Sequence, residues 1–273
     1  MKWKMKNYLE KFFNHWTLLF LNILIIISVE LTGMFFMDSG LIHLIALFFI
    51  VLGATRIFVH YDVYDQYLKP LIHGGILVLL VFAISHILEY VSYAIFYVSY
   101  DIIAVNVVNL YLVGLLITSL SVEMFLGRLK NGGRLLVPLF HLGIITFLVL
   151  TVSSLVNGAM VNLEVNGLGM FIYSSLVILV TLVCIGQLFR LRSRVTILVN
   201  FLNYFVASFA LVSCSAMLYV LNEMLVRLGL PYFQMMYIGH FIFYAALSIM
   251  FLAYVKLSKL GGIYEDLKDI DEN

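Results

Sequence analysis

Long apolar runs decide what this chain can become. From Thr17 to Lys256, stretches of about twenty residues or more pass almost without charge, and charged side chains collect in the short segments between them. Each such run is long enough to cross about 30 Å of hydrocarbon as an α-helix. Inside lipid the backbone must satisfy its own hydrogen bonds, which leaves a helix bundle or a closed β-barrel. Barrel strands alternate over about ten residues, whereas these runs are continuous, so the expected class is an all-α, polytopic transmembrane bundle. Composition agrees. With 63% hydrophobic and 11% charged residues and a mean hydropathy of +1.07, the chain has too little polar surface for a water-soluble globule.

The pattern predicts eight spans: 17–37, 40–60, 71–95, 102–127, 135–157, 169–190, 195–222 and 232–256. Three regions follow: an interfacial amphipathic helix over 1–16, one transmembrane domain over 17–257, and an acidic cytoplasmic tail over 258–273. In the first, Leu9, Phe12, Phe13 and Trp16 share one helical face among lysines. The run after it is too long for a secretory signal and carries Glu30, so an uncleaved anchor is expected. Of the sixteen basic residues, all but Arg227 fall at the N-terminus, the C-terminal end, or the turns near 56–69, 128–134 and 190–194. The opposite connections carry Asp38, Asp101, Glu164 and Glu223. The positive-inside rule then predicts a multi-pass cell-membrane protein with both termini cytoplasmic.

Residues 69–90, KPLIHGGILVLLVFAISHILEY, have a copy 68 residues later. Pro70, Leu71, His73, Gly75, Ile76, Leu80, Val81 and Ser85 meet Pro138, Leu139, His141, Gly143, Ile144, Leu148, Val149 and Ser153. A weaker third copy lies a further 62 residues on, aligning LGRLK at 126–130 with LFRLR at 188–192, His141 with Asn203, and Ser153 with Ser215. The spacing predicts three helical hairpins from spans 2–3, 4–5 and 6–7. Only the first copy carries His86 and Glu89; the second has Ser154 and Asn157 there. Three residues apart, His86 and Glu89 share a helix face, which Gly75, Leu79, Phe82 and Tyr93 continue. That face is expected to turn into the bundle, toward Glu30 or His240.

Ionisable groups within a span are costly and mark functional positions by default. Sorted by depth they form two groups. Glu30, His43, His86, Glu89, Asn106, Asn109 and His240 form an outer-leaflet set, the candidate ligand or proton site. His60, His73, Glu123 and His141 form an inner set close enough to the headgroups for a structural role.

Several function classes drop out. No HExxH, GxSxG or P-loop is present, so an enzyme is not expected. No basic domain exists to hold nucleic acid. The two cysteines, Cys184 and Cys214, lie at different depths and suit no disulfide. No cofactor is required. Histidines scattered over separate spans are a weak basis for a metal site, and the thirteen residues from His73 to His86 poorly match stacked haems. Hairpins with basic turns over residues 40–222 resemble the seven-span sensory regions that precede histidine kinases. The resemblance implies a sensory or ligand-binding module that works with the lipid bilayer around it and a cytoplasmic or membrane protein partner. The competing expectation is a small transporter with Glu30, His86 and Glu89 as a cation or proton relay.

Overall fold

The computed structural model describes Leu24, residues 68–94, 100–129, 136–157 and 167–229, and parts of 238–257. The interfacial helix, spans 1 and 2 and the acidic tail lie outside the described residues, as do Glu30, His43, His60, His240 and the side chain of Glu89. Of what is described, 95% is helical, which decides for the bundle over the barrel.

Five helices occupy the expected spans 3 to 7: α1 (Lys69–Ala94), α2 (Tyr100–Leu129), α3 (Val137–Asn157), α4 (Gly167–Arg192) and α5 (Val199–Arg227). Helical fragments within 238–257 lie in the eighth. Among the described residues, the segments Lys69–Leu88, Asn106–Gly127, Phe171–Arg192 and Thr196–Asn222 are long and apolar enough to cross a membrane, which fits an integral membrane protein.

Local chemistry sets the helix ends. Pro70 and Pro138 stand in the first turns of α1 and α3, where a missing N–H does no harm. Each first turn closes alike: Ile72 N–H donates to Leu68 O and Phe140 N–H to Leu136 O, both at 3.1 Å. Between α4 and α5 the chain reverses within residues 193–195. Arg194 and Val195 N–H groups there satisfy the Leu191 carbonyl, and a short 3-10 turn, Thr196–Leu198, leads into α5. At the far end of α5, Gly229 adopts a φ of 73°, a left-handed stop suited to glycine.

α2 is the hub: α1, α3 and α4 all pack on it, and α5 packs on α4. α1 and α2 are antiparallel, with Gly74 against Ser121, Phe82 against Gly114 and His86 against Tyr111. α2 and α4 are parallel. The side-chain contacts across them join residues 64, 65, 67 and 69 positions apart. With the tight α4–α5 turn, this brings Lys69, Arg190, Arg192 and Arg194 to one end of the bundle. Leu112, Phe125, Leu188, Leu202 and Phe209, each at most 2% exposed, form its core. Most of α3 points away from that core. Leu139, Leu142, Ile145, Val149 and Val152 are all exposed, a composition suited to lipid.

The surface pattern of α1 recurs in α5. At the combined sequence offset of 130, residues 71–88 fall in the same exposure class as residues 201–218, apart from the two pairs 74/204 and 75/205. The three aligned inner positions, His73, His141 and Asn203, are all exposed.

Candidate functional site

The His86 face of α1 turns inward. Leu79 and Phe82 are 4% and 3% exposed, and His86 itself only 1%. The ring is held by Tyr111 of α2, whose hydroxyl lies 3.2 Å from His86 Nε2, with the two rings edge to face at 77°. Tyr111 is gripped in turn by Phe82 of α1 (ring centroids 5.1 Å apart) and by Phe243 of the C-terminal fragment (4.9 Å). One tyrosine therefore joins α1, α2 and the C-terminal fragment that contains Phe243. Glu89 follows His86 by one turn of the same helix.

Asn106 and Asn109 are each 1% exposed but belong to another side of α2. Asn109 precedes Tyr111 by two residues, about 200° round the helix, and faces Tyr173 of α4. Its amide oxygen and nitrogen are enclosed and make no hydrogen bond of ordinary geometry. The described outer residues thus form a His86–Tyr111 pair on the α1 side of α2 and an asparagine pair on another.

Among the described members of the inner set, the histidines and the carboxylate face different surroundings. His73 and His141 lie on exposed faces, and His141 Nδ1–H donates to Val137 O at 2.8 Å in its own first turn. Glu123 is buried against α4. Its Oε1 accepts from Gln187 Nε2 at 3.2 Å and from Arg190 Nη1 at 3.3 Å, the arginine side chain being 55% exposed and the carboxylate side 10%. Midway along the same seam, Cys184 Sγ–H donates to Leu115 O at 3.3 Å, which makes Ser119 Oγ, 2.9 Å from the sulfur, the donor to it. A small cavity of about 20 Å³ lies where α1, α2, α4 and α5 meet, beside Gly74, Thr118, Ser121 and Phe205. Most of its lining is apolar, and the Thr118 and Ser121 hydroxyls beside it donate to carbonyls of their own helix.

The sequence gives no sign that Tyr111 or Gln187 belongs to a site, and it marks Arg190 only as one of the basic residues of the 190–194 turn. Tyrosine is common at membrane interfaces, and 111 carries no motif. A register of α1 against α2 would have found it, because a buried histidine needs a polar partner.

No group of three or more His, Cys, Asp or Glu side chains placed to hold a metal ion occurs among the described residues. No family model, curated protein or solved structure matches this chain.

Proposed function

We propose that the chain is an eight-span cell-membrane protein with both termini cytoplasmic, built on repeated helical hairpins. It serves as a non-enzymatic sensory or ligand-binding module whose site centres on His86 and Glu89 and whose signal passes to a protein partner. The repeat is supported by the identical first-turn closures of α1 and α3 and by the parallel packing of α2 on α4. The matched exposure of α1 and α5 supports it as well.

One observation carries the functional part. At the position of α5 that corresponds to His86 stands Ala216, equally enclosed in the same surface pattern. The architecture therefore accommodates a small apolar residue at this place, and an imidazole with a tyrosine partner is an addition to what packing requires. Buried polar groups within a membrane are kept at a cost, and that cost points to use.

The test is a thermal-shift screen of the protein in nanodiscs, wild type against the double variant His86→Leu/Tyr111→Phe. A compound at a hundred times its Kd stabilises by about 2.7 kcal/mol. The reading predicts at least one that raises the wild-type Tm and leaves the double variant unmoved. Proton or cation flux in proteoliposomes that depends on His86 and Glu89 would replace the sensor with a transporter.

A further inference from the structure

The two sides of α4 differ in what they meet. Thr181, Cys184, Leu188 and Leu191 are buried, and Cys184 and Gln187 bond to α2. On the other side Leu179, Leu182, Val183 and Phe189 are exposed, an apolar stripe at helical spacing. Gly186 lies in the middle of that stripe and is exposed too. A Cβ built on it meets nothing within 4 Å, so the stripe has an open notch. The stripe ends on positive charge. Arg190 follows Gly186 by one helical turn, Arg192 and Arg194 come directly after it, and all three are exposed. No acidic residue lies between Glu164 and Glu223 in the sequence. Glu123 offsets Arg190, but among the described residues Arg192 and Arg194 are paired with no carboxylate. Their backbone is already fixed. Ser193 N–H donates to Phe189 O, the Arg194 and Val195 N–H groups to Leu191 O, and Ser193 Oγ to Arg190 O. Less freedom is then lost when an anion is bound. Those three N–H groups are used, which leaves the guanidinium groups, whose planar fork matches phosphate oxygens.

We propose that this corner of the bundle binds one anionic phospholipid. An acyl chain lies along the stripe from Leu179 to Phe189, over the Gly186 notch, and the phosphodiester meets Arg192 and Arg194. An exposed apolar track that leads within two turns to unpaired guanidinium groups matches the order of chain and headgroup in a lipid. A soluble acidic peptide uses the charge and leaves the track bare. A zwitterionic headgroup brings its own cation to the same arginines and is disfavoured. Each arginine near an anionic lipid surface contributes about fivefold in affinity, so two contribute about 25-fold. The lipid site stands apart from His86 and does not depend on the sensory reading.

Lipid titration of the whole chain in a neutral detergent, read by native mass spectrometry, tests this. The probes are phosphatidylglycerol and phosphatidylcholine with the same acyl chains. The expected result is one phosphatidylglycerol bound about 25-fold more tightly than phosphatidylcholine. Arg192→Gln/Arg194→Gln, with its fold checked by circular dichroism, should remove that advantage. Gly186→Leu fills the notch where no neighbour opposes it, so it should keep the wild-type Tm and weaken binding of both lipids. Equal affinity for the two lipids in the wild type, or unchanged phosphatidylglycerol binding in either variant, would overturn the proposal. Inorganic phosphate that binds as tightly as phosphatidylglycerol would make this a site for free anions. Poly-glutamate that binds more tightly than phosphatidylglycerol would make it a surface for an acidic protein. Either result would overturn the lipid assignment.

Discussion

Gly74 of α1 lies so close to Ser121 of α2 that a Cβ added to the glycine would overlap both the hydroxyl and the Cβ of the serine. Small residues that let two helix backbones approach are how membrane helices gain packing without a hydrophobic drive. Gly74→Ala should lower stability by about 1–3 kcal/mol, the usual range for overpacking. Pairing it with Ser121→Gly should recover much of the loss, since both clashing atoms are then gone. A double-mutant cycle by thermal unfolding in detergent checks this, and additive losses would contradict the contact.

The ion pair between Glu123 and Arg190 is lopsided, with one partner enclosed and the other half in solvent. Arg190→Gln should cost only about 0–1 kcal/mol, as exposed pairs do. Glu123→Ala should cost more, about 1–3 kcal/mol, because the enclosed Gln187 amide then loses its acceptor while its own Oε1 already lacks a partner. Equal losses in chemical denaturation would show that the pair, and not the buried amide, governs this end of the seam.

How far the sequence reaches is visible along this seam. Helices α1 to α5 could be read to within about five residues because long apolar runs bounded by charge mark their length, and four of them are long and apolar enough to cross a membrane. The inward turn of the His86 face was legible too, from a three-residue spacing. The partners were not. Glu123 could be placed near the inner surface, yet its bonds to Gln187 and Arg190 depend on α2 and α4 running parallel, and no local pattern encodes helix neighbours. Asn106 and Asn109 share a depth with His86, and depth says nothing about which side of α2 they occupy.

Asn109 offers a test by removal. Its amide is enclosed and meets Tyr173 only outside strict hydrogen-bond geometry, so replacing it with a leucine removes a buried polar group and breaks at most that weak contact. Asn109→Leu should leave stability unchanged or raise it by about 1 kcal/mol. A loss of 2 kcal/mol or more in the same unfolding assay, about the burden of stranding a partner, would mean that Tyr173 or another group depends on the amide.

The two cysteines should react very differently. Cys184 is 1% exposed and tied to Ser119 and Leu115, whereas Cys214 is exposed on α5. In detergent, a small thiol reagent should modify Cys214 in the folded protein and reach Cys184 only on unfolding. Mass spectrometry of the modified protein gives the answer, and early labelling of Cys184 would contradict the α2–α4 packing.

The most direct test of the whole account is the stability of His86→Leu/Tyr111→Phe. Removing both halves of a buried hydrogen bond and keeping the volume is nearly neutral when the bond serves no structural purpose. If the pair is there for recognition, as Ala216 at the corresponding place in α5 suggests, the double variant should unfold within about 1 kcal/mol of the wild type, or above it. A loss of about 3 kcal/mol or more, the range seen when a buried network is broken, would make the His86–Tyr111 contact part of the scaffold and contradict the central claim.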